Sequence, residues 1–485
     1  MRPRIYIQYI PMRFALHPGA RKIGLVPLVA ATYFMVSGGP YGIEDILGGA
    51  GYARAIVILL ALPLFWSLPT ALMIGELAAA IPAEGGFYVW VRRGLGRFWG
   101  YQESWLSLTA SVFDMALYPS IFVLYLGKFN PALTAHPRGY FWSLAVVLVC
   151  CLWNLLGAPE IGEDSVWLFV LLLAPFAVFV ALGFWHGLAM HPAIDWGRGA
   201  AARSAPIGLS TAILVALWNY MGWDNASTIA REVENPQRNY PRAMMGAVLI
   251  VAISYILPLA AMAFAGLSAS SFLTGDWAIA ATSAGGPLLG LAVVAGGCIT
   301  GIGMFNALMM SYTRLPIAMA ADGLLPRIFL KRNRRGAPWV SVLVCGVGWA
   351  LALILPFERL ISIDLILYGT SLILEFLALI ALRLREPELP RPFHAGSLSF
   401  ACLLGAGPTV LIAYALYAAR SEKLGDPGTA LADVSSLLFA AAVVMLGPPL
   451  YALTAVLARR RAPEPGTESE RLTAVSEQLT VDGEP

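Results

Sequence analysis

The feature that most constrains this 485-residue chain is a succession of apolar runs, each about long enough to cross a bilayer, joined by short polar connections. A hydrocarbon core takes about 20 helical residues. Lipid offers no partner for a free backbone N–H or C=O, so a run of this kind must satisfy its own hydrogen bonds as a helix. The runs are continuous, unlike the alternating segments of about ten residues in an outer-membrane barrel. Their edges predict twelve spans, at 25–49, 53–80, 98–127, 140–157, 165–188, 209–232, 241–266, 287–313, 338–356, 360–382, 398–419 and 434–458. Composition agrees, with 58% hydrophobic and 13% charged residues and a mean hydropathy of +0.71. A soluble domain carries about 25% charged residues to wet its surface. The expected class is an all-α membrane protein.

Charge placement orients the spans. With the N-terminus inside, 24 of the 32 Lys and Arg residues fall in cytoplasmic segments, the largest group being 327–335, as the positive-inside rule requires. Arg2, Arg4, Arg13, Arg21 and Lys22 precede the first run. They read as a cytoplasmic tail, because many spans follow and no small-residue cleavage site stands out. The chain then divides into the tail 1–24, a first five-helix unit 25–188, a second 209–382, helices 11 and 12 over 398–458, and a tail 459–485 with the composition of a disordered segment. A bacterial inner membrane or plasma membrane is the expected location, with both ends cytoplasmic. No basic, aromatic-interleaved stripe suggests nucleic acid. Cys150, Cys151, Cys298, Cys345 and Cys402 all lie inside apolar runs without metal-type spacing, and neither a cofactor nor a metal is expected. Oligomeric state is not legible.

Two spans carry breaks. The first contains Val36-Ser37-Gly38-Gly39-Pro40-Tyr41-Gly42 near its middle, where glycine entropy and the missing proline N–H defeat a regular helix. The sixth has a softer break at Asn219-Tyr220-Met221-Gly222-Trp223-Asp224. Non-helical backbone at membrane depth is tolerated only where it is packed in protein or lines a wet cavity. Spans 1 and 6 correspond if spans 1–5 and 6–10 are repeats, and an odd repeat inverts the second copy. Paired broken helices in inverted halves point to a transport site at mid-membrane; a kink used only for packing is the plainer alternative for either one.

Acidic residues mark the same depth. An intramembrane carboxylate costs roughly 2.5–3.5 kcal/mol on insertion scales, and Glu44, Asp45, Asp114 and Asp224 are mid-span, with Glu76, Glu103 and Glu375 nearer the span ends. Glu44 and Asp45 follow the first break, and Asp224 is placed at the N-cap of the second half of span 6. Helix N-termini attract negative charge. With the protein's own carboxylates already there, the cavity suits an ammonium group better than an anion. Plain capping is the competing account of each acid. Glu44 and Asp45 point about 100° apart on a helix, so one of the two is expected to face the cavity. Asp114 has Tyr118 one turn later, and a carboxylate beside an aromatic ring can hold an amine by ion pairing and cation–π contact. Tyr41, Trp218, Tyr220, Trp223, Phe305 and Tyr368 lie at similar depth.

Several of these stretches resemble a family. Gly39-Pro40-Tyr41-Gly42-Ile43-Glu44-Asp45 is similar to the first helix of polyamine-uptake transporters in the amino acid–polyamine–organocation superfamily. So are Glu76 to Pro82, Gly85 to Trp90 and Phe98 to Glu103 in their places, Trp223-Asp224 through Arg231-Glu232 to Pro236 in the sixth, and Leu367-Tyr368-Gly369 with Leu374-Glu375-Phe376 in the tenth. The resemblance implies a LeuT-type fold, a 5+5 inverted repeat plus two further helices, and proton-linked uptake of polyamines such as putrescine or spermidine. It carries cavity roles onto Glu44, Asp45, Asp114, Tyr118, Trp223 and Asp224. Span 5 lacks the Lys that stands in for a coupling cation in some amino-acid branches, and a protonatable carboxylate is the simplest substitute.

Three functions compete. An enzyme needs a catalytic constellation, and His17, His136, His186, His191 and His394 all fall in tails, loops or span ends. An amino-acid permease or exchanger needs a seat for a carboxylate, which backbone N–H groups of Ser37-Gly38-Gly39 could form. A cationic-amine carrier needs the acids already counted, and it is the preferred expectation.

Overall fold

The computed structural model describes residues 22–194, 196, 208–269, 272–355, 357–420, 423–424 and 433–461. The tail residues Arg2, Arg4, Arg13, His17 and Arg21, and the polar stretch after Arg461, lie outside them. The described chain is helical, its β-pairing confined to isolated bridges such as Ile23 with Val233 and Glu84 with Ile229. In order the helices are α1 Leu25–Val36, α2 Glu44–Leu62, α3 Leu68–Ala80, α4 Gly86–Leu95, α5 Arg97–Phe129, α6 Pro131–Thr134, α7 Arg138–Asn154, α8 Ala158–Met190, α9 Leu209–Trp218, α10 Pro236–Phe264, α11 Trp277–Gly285, α12 Pro287–Tyr312, α13 Leu315–Ala321, α14 Trp339–Ala352, α15 Phe357–Arg385, α16 Leu398–Ala419 and α17 Ser436–Arg461.

Among the described residues, eight segments are long and apolar enough to cross a membrane, the first being Glu44–Ala80; α1, α7 and α14 are shorter apolar helices. That first segment is not one rod. Gly51 adopts φ 71°, a left-handed value open to glycine at little cost, and it separates the first turns after the break from the rest of α2. The long part continues through a π-helical turn at Pro63–Ser67 into α3.

Burial sorts the helices into layers. The membrane-length windows of α15 and α5 are 72% and 67% buried, whereas those of α8 and α17 are 22% and 11% buried. Trp167, Val170, Leu171 and Trp185 of α8, with Leu438 and Met445 of α17, leave large apolar side chains exposed, as lipid-facing helices must. The inner layer is α5 packed along α12 and α15, with α1 held between α8, α10 and α12. This chain is a multi-pass membrane protein in which the inner helices α5 and α15 bury Glu103, Asp114, Asp364 and Glu375.

Candidate functional site

Helix α1 ends where its sequence stops supplying helical backbone. Ser37 turns extended at φ −139°, and Gly39 and Gly42 take φ of 71° and 90°. Helix α9 ends at Trp218 and does not resume: Trp223–Thr228 and Ala230–Glu232 are 3-10 turns. The break in this span is therefore deeper than the sequence suggests. Gly222, at φ 87°, is the N-cap of the first turn, and Asp224 is its second residue and not the cap. A Cβ at Gly222 would collide with the carbonyl oxygen of Met35. The second break can approach the last turn of α1 this closely only because that position has no side chain.

Many of the freed backbone groups find partners, as burial demands. Thr300 Oγ1 donates to Gly38 O (3.0 Å), Trp277 Nε1 to Pro40 O (2.6 Å) and Asn219 Nδ2 to Gly42 O (3.1 Å). Tyr255 Oη donates to Asn219 O at 2.6 Å. The N–H of Gly39 is taken by Ser37 Oγ (3.0 Å), that of Gly42 by Glu44 Oε2 (2.6 Å) and that of Gly222 by Tyr368 Oη (3.1 Å).

Between the breaks lies a small cavity. Met35 and Val36 close it from α1, Asp114 and Tyr118 from α5, and Trp218, Asn219, Met221 and Gly222 from α9 and its break; Met304 and Tyr312 of α12 and Asp364 and Tyr368 of α15 complete the wall. Asp114 accepts three side-chain donors. Tyr118 Oη donates to its Oδ1 at 2.5 Å, Trp218 Nε1 to the same oxygen at 3.3 Å, and Tyr312 Oη to Oδ2 at 3.3 Å. The rings of Tyr118 and Trp218 lie nearly parallel, 26° apart. Asp364 is 1% exposed, and its Oδ2 has no hydrogen-bond partner among the described residues. Asp224 sits just behind the wall and receives the Tyr368 hydroxyl on Oδ1 at 2.5 Å.

Of the residues expected to contact substrate, Asp114, Tyr118 and Tyr368 line this cavity, and Asp224 is joined to it through Tyr368. Ser37, Gly38, Gly39 and Tyr41 belong to the break but not to the wall: Tyr41 donates to Val293 O and packs edge-on against Tyr125 and Phe176. Trp223 is fully buried and also outside the wall. Neither Glu44 nor Asp45 faces the cavity. Glu44 accepts from the Tyr125 hydroxyl and from Gly275 N–H (3.0 Å), and Asp45 from Thr274 N–H (2.8 Å) and Thr274 Oγ1 (3.0 Å). They tie the start of α2 to the loop that leads into α11.

Asp364 and Tyr312 were not singled out from the sequence. Asp364 carried a usable signal, because Asp364 and Tyr368 repeat the four-residue spacing of Asp114 and Tyr118, which puts acid and phenol on one helix face. Tyr312 had none, since aromatic residues near span ends are common.

Known proteins extend the match. The amino acid permease family matches residues 29–447. The chain is 34% identical over 403 residues to polyamine transporter PUT1 of Oryza sativa subsp. japonica, covering 82% of this chain and 74% of that protein. It is 33% identical over 397 residues to polyamine transporter RMV1 of Arabidopsis thaliana, covering 81% and 79%. The serine/threonine exchanger SteT of Bacillus subtilis is 26% identical over 407 residues, covering 79% and 85%. With the broken helices, the buried acids and a family match that runs from α1 into α17, the chain belongs to the amino acid permease family of the amino acid–polyamine–organocation superfamily.

Proposed function

We propose that this protein is a secondary transporter that moves a polyamine such as putrescine or spermidine across the membrane by alternating access, coupled to protons. The observation that carries the reading is that Asp114 and Asp364 line one cavity, with Asp224 immediately behind and no Lys or Arg among the lining residues. An ammonium group there meets carboxylate oxygens and the faces of Trp218 and Tyr118, both of which favour cations. The names of the plant relatives point the same way.

Transport needs the site to open to each side in turn. In this reading the protein has twelve spans in a LeuT-type 5+5 inverted arrangement, repeats at 25–188 and 209–382, helices 11 and 12 at 398–458, and both termini in the cytoplasm of a bacterial inner membrane or a plasma membrane. The outer gate is the tether of Glu44 and Asp45 to Thr274 and Gly275, reinforced by Lys128 with Asp276 (2.7 Å). The inner gate joins Ile23 to Glu232 and Glu234 by main-chain bonds of 2.8 and 2.9 Å, Arg314 to Glu232 (3.1 Å), and Arg92 to Asp322.

An amino-acid exchanger is the second reading, favoured by the similarity to SteT. It needs donors for a substrate carboxylate, and the N–H groups of Gly39 and Gly222 are already engaged by Ser37 and Tyr368. The deciding experiment is uptake of labelled putrescine into vesicles containing the purified protein, competed with spermidine, serine, threonine and arginine. Inhibition by spermidine alone, with uptake lost in Asp224→Asn, supports the polyamine reading; inhibition by serine or threonine and not by spermidine overturns it. An indifferent response to a protonophore would remove the proton coupling.

A further inference from the structure

Below the cavity lies a second acidic level that the substrate site does not use. Glu375 on α15 is eleven residues past Asp364, and Glu103 on α5 is eleven residues before Asp114. Eleven residues are almost three whole turns, about 16 Å along a helix, so each glutamate shares the face of its aspartate. The two helices run antiparallel: Arg93 and Gly94, just before α5, meet Glu386 and Arg385 at the end of α15. The pairs therefore form two levels, Asp114 with Asp364 and Glu103 with Glu375. The charge of Asp224 reaches both glutamates, and that of Glu103 reaches Glu375.

Both glutamates are 0% exposed. Glu103 Oε1 accepts from Ser107 Oγ at 2.7 Å, while Glu103 Oε2 and both oxygens of Glu375 have no hydrogen-bond partner among the described residues. The surrounding cations are committed elsewhere. From α4, Arg92 is paired with Asp322 and Arg93 with Glu386; Arg383 and Arg391 hold Glu76 of α3. Helices α9 and α16 bring no acidic or basic side chain, α17 only its terminal arginines, and Tyr368 is turned to Asp224. Two buried negative charges with three of their four oxygens unpartnered, and no cation paired to them among the described residues, are not sustainable at this depth. A proton satisfies the pair with a single oxygen, whereas a metal ion needs several ligands, and no group of three or more His, Cys, Asp or Glu with that arrangement occurs among the described residues.

We propose that Glu103 and Glu375 are the proton-carrying pair of the transport cycle, binding H⁺ from water on one side of the membrane and releasing it on the other. The inference rests on the transporter reading and adds to it the location of the coupled ion. The link to substrate is Asp224, which bonds the cavity phenol Tyr368 on one side and feels the charge of the pair on the other.

Two measurements test it. The first needs no substrate: purified wild-type protein at neutral pH should show a protonated-carboxyl C=O band in its infrared spectrum that Glu103→Gln or Glu375→Gln removes. Absence of any such difference overturns the proposal, whatever the protein transports. The second uses putrescine in vesicles: both variants should keep substrate counterflow within about twofold of wild type and lose the response of uptake to an imposed pH gradient, with Glu375→Asp restoring part of it. Variants that still respond to the gradient, or that lose counterflow along with it, overturn the assignment. Wild-type protein that shows the band yet carries no putrescine would refute the polyamine reading alone.

Discussion

The phenol of Tyr368 on α15 donates to Asp224 Oδ1 at 2.5 Å and accepts the N–H of Gly222 at 3.1 Å, so one hydroxyl fixes both the carboxylate and the unwound backbone of the second broken span. Removing it frees a backbone N–H and loosens an acid at the same time. A hydrogen bond to a charged group contributes about 1.5–3 kcal/mol, which is about 10- to 100-fold in affinity. Tyr368→Phe should raise the putrescine concentration for half-maximal uptake by about tenfold or more, read from initial rates in vesicles. An unchanged value would take Tyr368 out of the site.

Asp364 and Asp114 should separate binding from stability. Asp364 Oδ2 receives no donor among the described residues, so Asp364→Asn should weaken putrescine uptake by about tenfold while leaving the melting temperature in detergent equal to or above wild type, because the desolvation cost of a lone charge is removed. Asp114 accepts from Tyr118, Trp218 and Tyr312, and an amide can serve only part of that set. Asp114→Asn should therefore lower both uptake and melting temperature. Equal melting shifts in the two variants would contradict this account.

Gly222 tests the packing of the two breaks against each other. A side chain there is strained at φ 87°, costing about 1–3 kcal/mol, and collides with Met35 O as well. Gly222→Ala should lower the melting temperature and abolish uptake. Gly246, in α10 with open space around its Cβ position, is the control: Gly246→Ala should be neutral or slightly stabilising, by about 0.5–1 kcal/mol.

A fourth expectation concerns the Glu76 anchor. Its fully buried carboxylate is held by Arg383, by Arg391 at 3.3 Å and by Ala395 N–H at 2.8 Å. Removing one partner of a buried ion pair costs about 3–5 kcal/mol. Arg383→Met should destabilise the protein by an amount near the lower end of that range, because Arg391 remains, and Arg383→Met with Glu76→Gln should recover part of it. Thermal unfolding in detergent, checked for reversibility, reads both.

The membrane class, the break after Val36 and the concentration of acids at mid-depth were legible in the chain because each follows from a local rule: hydropathy over a span's length, glycine and proline against a helix, and the cost of charge in lipid. Local rules also paired Asp114 with Tyr118. They could not say which acid faces which space. Glu44 and Asp45 read as cavity residues from their place beside the break, yet the loop before α11 folds over them and takes their oxygens. The spacing of Asp364 and Tyr368 put them on one helix face, but only the packing of α15 beside α5 brought Asp364 into the same cavity as Asp114. The unwinding of 223–232 into 3-10 turns likewise depends on partners far away in sequence, Tyr368 on α15 and Ser311 on α12, the latter donating to Asn225 at 2.8 Å. Hydropathy and backbone propensity act over neighbouring residues, so sequence alone settled that the chain is a helical membrane protein and that its first helix fails after Val36. The direction a carboxylate points is set by donors that only tertiary packing brings within reach.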